Sequence, residues 1–133
     1  RQGNIVIASG GGGIPVYYDE QGRVRPSEAV IDKDMASSLL AARIKADEFY
    51  ILTDVPYVYI NYKQPNEQKL DPLSVADAHK YLNDGMFSKG SMAPKIQAAV
   101  QFVEKGGEKS VITEAKLLKD KSYGTRIIKE YEQ

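Results

Sequence analysis

The 133-residue sequence contains no cysteine, no tryptophan and a single histidine. Without cysteine the chain has neither a disulfide framework nor a thiolate metal site, and His79 alone cannot build an imidazole cluster. No apolar run approaches the roughly 18 residues of a membrane-spanning helix, and nothing resembles a signal peptide. Eighteen acidic side chains balance 18 basic ones, which disfavours nucleic acid or an anionic membrane as a bulk partner. A cytoplasmic protein is therefore the default expectation.

The remaining composition is that of a globular protein. Apolar residues make up 42% of the chain, which is enough for one hydrophobic core, and the length is typical of a single domain covering residues 1–133. The first apolar run, residues 5–8, has the β-branched composition of a strand buried on both faces. Because so few residues precede a strand that needs neighbours on both sides, we predict that the chain is a piece of a longer protein.

Four consecutive glycines follow this predicted strand: Gly10, Gly11, Gly12 and Gly13. The carboxyl end of a buried strand is where open α/β sheets bind ligands, and glycine lets the backbone approach a ligand closely. Ordering four glycines costs much conformational entropy, which favours a bound anion over an idle loop. Neither the dinucleotide fingerprint nor the Walker A pattern fits this stretch. A glycine turn without any ligand remains the alternative.

Two predicted helices begin with a lysine. Asp32 is the predicted N-cap of the first helix, with Lys33 and Asp34 in its first turn. The second helix begins after Gly90 and carries Lys95 in its first turn. A lysine beside the positive end of a helix dipole is unfavourable unless an anion lies nearby. Both helix starts therefore indicate an anion-binding site.

The rest of the chain alternates strands and helices. The helix between residues 5–8 and the apolar run 49–52 predicts a right-handed βαβ crossover with a parallel strand pair. Further predicted elements are a hairpin around residues 19–22, a strand over 58–60, a loop or hairpin over 61–72, a helix capped by Ser74 and ending near Asn83, a strand at 111–112, a short helix capped by Thr113 and a last apolar run at 127–128. His79 is predicted to be an ordinary surface histidine. The pattern indicates an α/β domain that binds a phosphorylated ligand, most simply a nucleotide.

Four motifs in unbroken order carry a resemblance to a known family: Gly10-Gly-Gly-Gly-Ile-Pro-Val16, Ala29-Val-Ile-Asp-Lys-Asp34, Leu52-Thr-Asp-Val55 with Tyr57-Val-Tyr-Ile-Asn61, and Gly90-Ser-Met-Ala-Pro-Lys95. Together they resemble the carbamate kinases of the amino acid kinase superfamily. Members of that family are much longer, so the chain resembles only their C-terminal half. The resemblance implies a three-layer αβα sandwich with a mainly parallel sheet, in which this part of the chain carries the nucleotide.

The resemblance also implies a reaction and the residues that carry it. The γ-phosphoryl group of ATP would move to carbamate, or ATP would form from carbamoyl phosphate and ADP, with Mg²⁺ accompanying the nucleotide. Lys95 is expected at the β- and γ-phosphates and Lys33 at the transferring group, with Asp34 holding both lysines and orienting Mg²⁺ through water. The amides of residues 10–13 would receive oxygens of carbamate or of the phosphoryl group. The expected nucleotide-binding residues are Thr53, Asp54, Val55, Tyr59, Gly90, Ser91, Met92 and Lys95.

Other interpretations stay open. A sister kinase of the superfamily would act on an acidic amino acid or a nucleoside monophosphate, and a non-catalytic nucleotide-binding module would need another chain for turnover. By itself the chain is expected to bind nucleotide weakly and to catalyse little. The resemblance further implies a homodimer.

The resemblance is imperfect at two places. The family often has an acidic residue at the position of Pro56, and Ala-Pro is common at the position of Ser88-Lys89. Tyr57, Tyr59 and Tyr62 are more typical of packing than of ligand stacking.

Overall fold

A mixed sheet packed against helices forms the centre of the computed structural model, which describes residues 3–8 and 13–131. Gly10, Gly11 and Gly12 lie outside the described residues. The elements in chain order are β1 (Val16–Tyr18), β2 (Val24–Pro26), α1 (Lys33–Arg43), β3 (Glu48–Thr53), β4 (Val58–Ile60), β5 (Gln68–Leu70), β6 (Leu73–Ser74), α2 (Val75–Asn83), α3 (Met92–Glu104), β7 (Lys109–Glu114), a 3₁₀ helix (Ala115–Leu117) and β8 (Thr125–Ile128).

The main sheet has the strand order β3-β7-β8-β6. Strand β3 pairs in parallel with β7 along its whole length, and β6 pairs in parallel with β8, whereas β7 and β8 are antiparallel. The predicted α/β class with a mainly parallel sheet is therefore confirmed. Strand β8 is the antiparallel member of this mainly parallel sheet, because the connection over residues 115–124 is too short for the crossover that a parallel neighbour requires.

Helix α3 carries most of the core. Its buried residues face β7 and α1, and Phe102, which is fully buried, stacks on Phe49 of β3 with ring centroids 5.5 Å apart. The helix ends at Glu104 with Lys105 as its C-cap, and Gly106 follows with φ of 95°, a conformation that favours glycine. Because α3 packs against both β7 and α1, this packing fixes where the start of α3 lies relative to α1.

Local signals predicted several elements correctly. Asp32 caps α1 through its Oδ1 atom, which accepts a hydrogen bond from the Met35 amide at 2.9 Å. Ser74 caps α2 in the same way, with its hydroxyl accepting from the Asp77 amide. The predicted hairpin is the β1-β2 pair, and residues 61–67 join the second hairpin, β4-β5. Each of these features depends on side chains that lie close together along the sequence.

Two local predictions are wrong. Residues 4–8 form no strand, and Ile5, Val6 and Ile7 are 97%, 77% and 98% exposed. A strand buried on both faces needs layers on both sides, and the described part of the chain provides none there, so the predicted crossover pair with β3 does not form either. Thr113 does not cap a helix, because it lies buried within β7 and the following turn is 3₁₀. Within residues 3–8 and 13–131, no helix combines the length and apolarity needed to cross a bilayer.

Candidate functional site

A compact group of three charged side chains lies where α1 and α3 begin. The Lys95 ammonium group is 2.9 Å from Oδ2 of Asp34, and the Lys33 ammonium group is 3.8 Å from the same oxygen. The Lys95 and Asp34 side chains are only 16% and 13% exposed, whereas that of Lys33 is 61% exposed. Two cations thus share one carboxylate, which leaves one positive charge in excess.

The packing of α1 against α3 brings these residues together. Ser38, which is fully buried on α1, donates a hydrogen bond to the Gln101 side chain on α3 at 3.2 Å. The two helices also contribute small buried residues, Ala41 from α1 and Ala98 from α3. The first turns of α1 and α3, which are far apart in the sequence, consequently lie close together.

The beginning of α3 offers few backbone donors. The Met92 amide donates to Oγ of Ser88 at 3.2 Å, and the Ala93 amide donates to the Ser88 carbonyl at 3.0 Å. Pro94 has no amide hydrogen. Amides that the sequence pattern offers to an anion are thus already hydrogen-bonded inside the protein. Attraction of an anion to this helix start therefore depends mainly on the Lys95 side chain.

A pocket of about 310 Å³ adjoins this helix start. Its lining consists of Asp54, Val55, Tyr59, Tyr62, Lys63, Met86, Phe87, Ser88, Ser91 and Met92. The volume is at the lower end of the range for small-molecule sites, and the mixture of aromatic, aliphatic and polar side chains is typical of them. Met92 lies one helical turn before Lys95, so the pocket and the charged group share the first turns of α3.

Most of the predicted nucleotide residues lie at this pocket. Asp54, Val55, Tyr59, Ser91 and Met92 line it. Thr53 and Gly90 are next to lining residues in the sequence but do not line it themselves, and Lys95 belongs to the charged group. Among the predicted phosphate-binding glycines only Gly13 is described, and it is exposed.

Sequence reasoning missed four residues of the pocket: Lys63, Met86, Phe87 and Ser88. Tyr62, which the sequence predicts to be a packing residue, also lines the pocket. The polar composition of residues 61–72 predicts a loop or hairpin but gives no sign that Lys63, in the loop of the β4-β5 hairpin, lines the pocket. Phe87 is buried two residues after the turn at Gly85. A large aromatic residue shortly after a helix-ending glycine is the available signal.

Aromatic contacts stiffen one wall of the pocket. The rings of Tyr59 and Tyr62 are 5.8 Å apart, and Tyr57 packs edge-on against Tyr59 at 6.5 Å. Burial, followed by the charge of Glu67, raises the pKa of Tyr59 above its ordinary value of 10.0. Its hydroxyl group therefore remains protonated and available as a hydrogen-bond donor. Tyr57 does not line the pocket and is a packing residue, as predicted.

The described residues do not assemble a metal cage. Within residues 3–8 and 13–131, no group of three or more His, Asp or Glu side chains is arranged to hold a metal ion. The Asp34 carboxylate is already occupied by two lysines. His79 is half exposed and hydrogen-bonds to Glu104 at 2.8 Å, so it is a surface residue. These side chains do not fit a resident metal centre.

Comparison with known proteins places this arrangement in a family. The family model described as "Amino acid kinase family" matches residues 1–114. The chain belongs to the amino acid kinase family. Within it, the chain is 51% identical to the carbamate kinase of Staphylococcus haemolyticus over 112 residues, which are 84% of this chain and 36% of that protein. It is 48% identical to the carbamate kinase of Thermococcus kodakarensis over 134 residues, covering 98% of this chain and 42% of that protein.

Solved structures are similar to this chain as well. The carbamate kinase of Giardia lamblia bound to AMP-PNP superposes with a TM-score of 0.80 at 42% identity, covering 90% of this chain and 42% of that one. A structure from Aeropyrum pernix superposes with a TM-score of 0.78, also at 42% identity, covering 89% of this chain and 39% of that chain. The chain thus spans roughly two fifths of the length of these family members.

Ser88 connects the pocket to the start of α3. Its hydroxyl accepts a hydrogen bond from the Met92 amide and is hydrogen-bonded to the Ser91 hydroxyl. Both partners line the pocket. Ser88 therefore ties the pocket wall to the start of α3.

Proposed function

We propose that this chain is the C-terminal, nucleotide-binding part of a carbamate kinase, which transfers a phosphoryl group reversibly between ATP and carbamate. The observation that carries the proposal is the pair of lysines held by one carboxylate beside a pocket of suitable size for a nucleoside. Carbamate is favoured over other acceptors because the two curated relatives described above are carbamate kinases, at 51% and 48% identity.

In this proposal Lys95 binds the β- and γ-phosphates. Phosphoryl transfer requires alignment of donor and acceptor and neutralisation of charge on the moving oxygens. Asp34 orients the Lys95 ammonium group through the 2.9 Å ion pair, in a position with little exposure to water. Because that ammonium group is fixed before the ligand arrives, little reorganisation is needed during the reaction.

Lys33 is proposed to act on the acceptor side. Its side chain is 61% exposed and its ammonium group lies 3.8 Å from Asp34, so it can move toward a second ligand. The oxygen of carbamate attacks the γ-phosphorus, the bond to the β-phosphate oxygen breaks, and ADP leaves. Both reactants are anions, so their mutual repulsion must be offset by such cations. Carbamate already carries a nucleophilic oxygen, and no general base is needed.

The pocket is proposed to hold the nucleoside. Tyr59 and Met92 supply an apolar wall, and the Asp54 carboxylate accepts hydrogen bonds from ribose hydroxyl groups. Thr53 donates to Asp54 at 3.1 Å and so orients that carboxylate. Mg²⁺ would arrive with the nucleotide phosphates and keep most of its waters, as this ion usually does. Gly10, Gly11, Gly12 and Gly13 are proposed to donate amides to carbamate or phosphoryl oxygens.

A non-catalytic nucleotide-binding module is the second candidate, favoured by one specific observation. Ile5, Ile7 and Val30 are each 97% or more exposed, as is expected of large apolar side chains that another part of an assembly covers. In such a module a separate chain would cover these residues and supply what turnover requires, whereas in the kinase proposal the N-terminal half of the same protein covers them and completes the carbamate pocket. A cytoplasmic location, a homodimer and a single-domain organisation of residues 1–133 remain predictions.

The test is ATP formation from ADP and carbamoyl phosphate by the full-length protein. We expect activity in the wild type and near-complete loss in Lys95→Ala. Lys109→Ala is a matched control, because Lys109 also forms a lysine–carboxylate pair, with Glu48. That pair lies at the beginning of β3 and β7, whereas the pocket lies at the end of β3. Equal rates for wild type and Lys95→Ala would refute the assigned role. ATP formation from a phosphorylated acidic amino acid or a nucleoside diphosphate, but not from carbamoyl phosphate, would favour a sister kinase.

A further inference from the structure

Lys63 has an unusual backbone conformation for a lysine. It lies in the loop between β4 and β5 with φ of 60°, in the left-handed region that favours glycine. Its amide donates to the Glu67 carboxylate at 2.7 Å, and a turn closed by the Gln64 amide and the Asn61 carbonyl at 2.9 Å fixes the loop around it. Such conformations persist where the surroundings enforce them, and they cluster at ligand clamps.

The Lys63 side chain is directed by an aromatic neighbour. Its ammonium group lies 5.3 Å from the centroid of the Tyr62 ring, within the range of a cation–π contact. Both residues line the pocket, and Tyr62 in turn stacks on Tyr59. Among the described residues that line the pocket, Lys63 is the one lysine. A single cation over an aromatic wall suits a flat ligand that carries hydrogen-bond acceptors at its edge.

We propose that Lys63 is a specificity residue for the nucleotide base. Its hydrocarbon stem covers the base beside Tyr62, and its ammonium group donates to an acceptor nitrogen at the edge of a purine. Stacking on an aromatic side chain holds any base, whereas a directed donor selects bases with an acceptor at that position. This inference rests on the proposed function, because it requires that the pocket holds a nucleoside.

The role differs from that proposed for Lys95. Lys95 lies with Asp34 and serves the phosphates, whereas Lys63 lies on the β4-β5 loop with the tyrosines and serves the base. A ligand without a base should therefore respond to Lys95 alone. Pyrophosphate, which retains only the diphosphate of ADP, is such a ligand.

The experiment is titration of the full-length protein with ADP, and with pyrophosphate as a competitor. Lys63→Met keeps the stem and removes the charge. It should raise the Kd for ADP about tenfold, as expected for loss of one hydrogen bond from a charged group. The Kd for pyrophosphate should be unchanged, while Lys95→Ala should weaken both ligands.

Two more variants separate ligand binding from backbone strain. Lys63→Gly relieves the left-handed conformation and should still weaken ADP, although the protein remains folded. Lys45→Gly is the matched control, because Lys45 has φ of 54° and does not line the pocket. Its ADP affinity should equal that of the wild type.

The outcomes distinguish the inference from the proposed function. If Lys63→Met binds ADP as the wild type does while Lys95→Ala binds it weakly, the role of Lys63 is wrong and the kinase proposal stands. Equal weakening of ADP and pyrophosphate by Lys63→Met would also overturn the base role. A wild type that binds no ADP would refute the proposed function and this inference with it.

Discussion

Replacement of Asp34 by asparagine tests how the charged group is held. The amide keeps the size of the side chain but removes the charge that fixes Lys95 at 2.9 Å. With the two side chains only 13% and 16% exposed, water screens the pair weakly. A hydrogen bond between charged groups contributes about 1.5–3 kcal/mol. If Lys95 is aligned by this bond in the transition state, kcat/KM should fall about 10- to 150-fold. Lys33 adds little, because its contact is longer and exposed.

The assay is ATP formation from ADP and carbamoyl phosphate by the full-length protein, with unfolding measured in parallel. Glu48→Gln is the control, since it breaks the 2.8 Å pair between Glu48 and Lys109 at the far end of β3 without approaching the pocket. We expect that control to keep wild-type turnover. If Asp34→Asn is also as active as the wild type, whereas Lys95→Ala is inactive, Asp34 does not position Lys95 and the reasoning fails.

Two further predictions concern stability. The hydrogen bond from Lys109 holds the pKa of the Glu48 carboxyl below its ordinary value of 4.5. The stability that this carboxylate contributes is complete above pH 4.5 and is lost as the pH falls through the lowered pKa. On acidification, the free energy of unfolding of Glu48→Gln, measured with urea, should therefore fall less than that of the wild type. Gly107→Ala should destabilise the protein by about 1–3 kcal/mol, measured by urea unfolding, because the new methyl group would overlap the buried ring of Phe102.

Controls define what would contradict these two predictions. Parallel acid unfolding curves for Glu48→Gln and the wild type would show that the ion pair contributes nothing. For the glycine, Gly90→Ala is matched, because a methyl group there would meet open space and the backbone is not in the left-handed region. If Gly107→Ala is as stable as Gly90→Ala, the Phe102 ring yields more easily than the packing indicates.

Features that depend on neighbours in the sequence could be predicted from it. Asp32 and Ser74 are the helix caps that the sequence indicates, since a capping side chain bonds to an amide two or three residues away. The place of Lys33 in the first turn of α1 follows from the same rule, whereas α3 begins at Met92 without a capping side chain at Ser91. The approach of Lys33 and Lys95 to one carboxylate is not local, because it requires α1 and α3 to pack together.

The sequence by itself therefore determined the α/β class, the helix starts and the family, because capping hydrogen bonds and motif spacing depend on residues that are close together in the sequence. Only the tertiary structure decided that β8 runs antiparallel to β7, that residues 5–7 are exposed and that Lys63 and Phe87 line the pocket. These outcomes depend on which distant segments pack together. The apolar pattern of residues 5–8 indicates that this segment is suited to burial as a strand. Whether it is buried depends on the presence of neighbouring strands and layers.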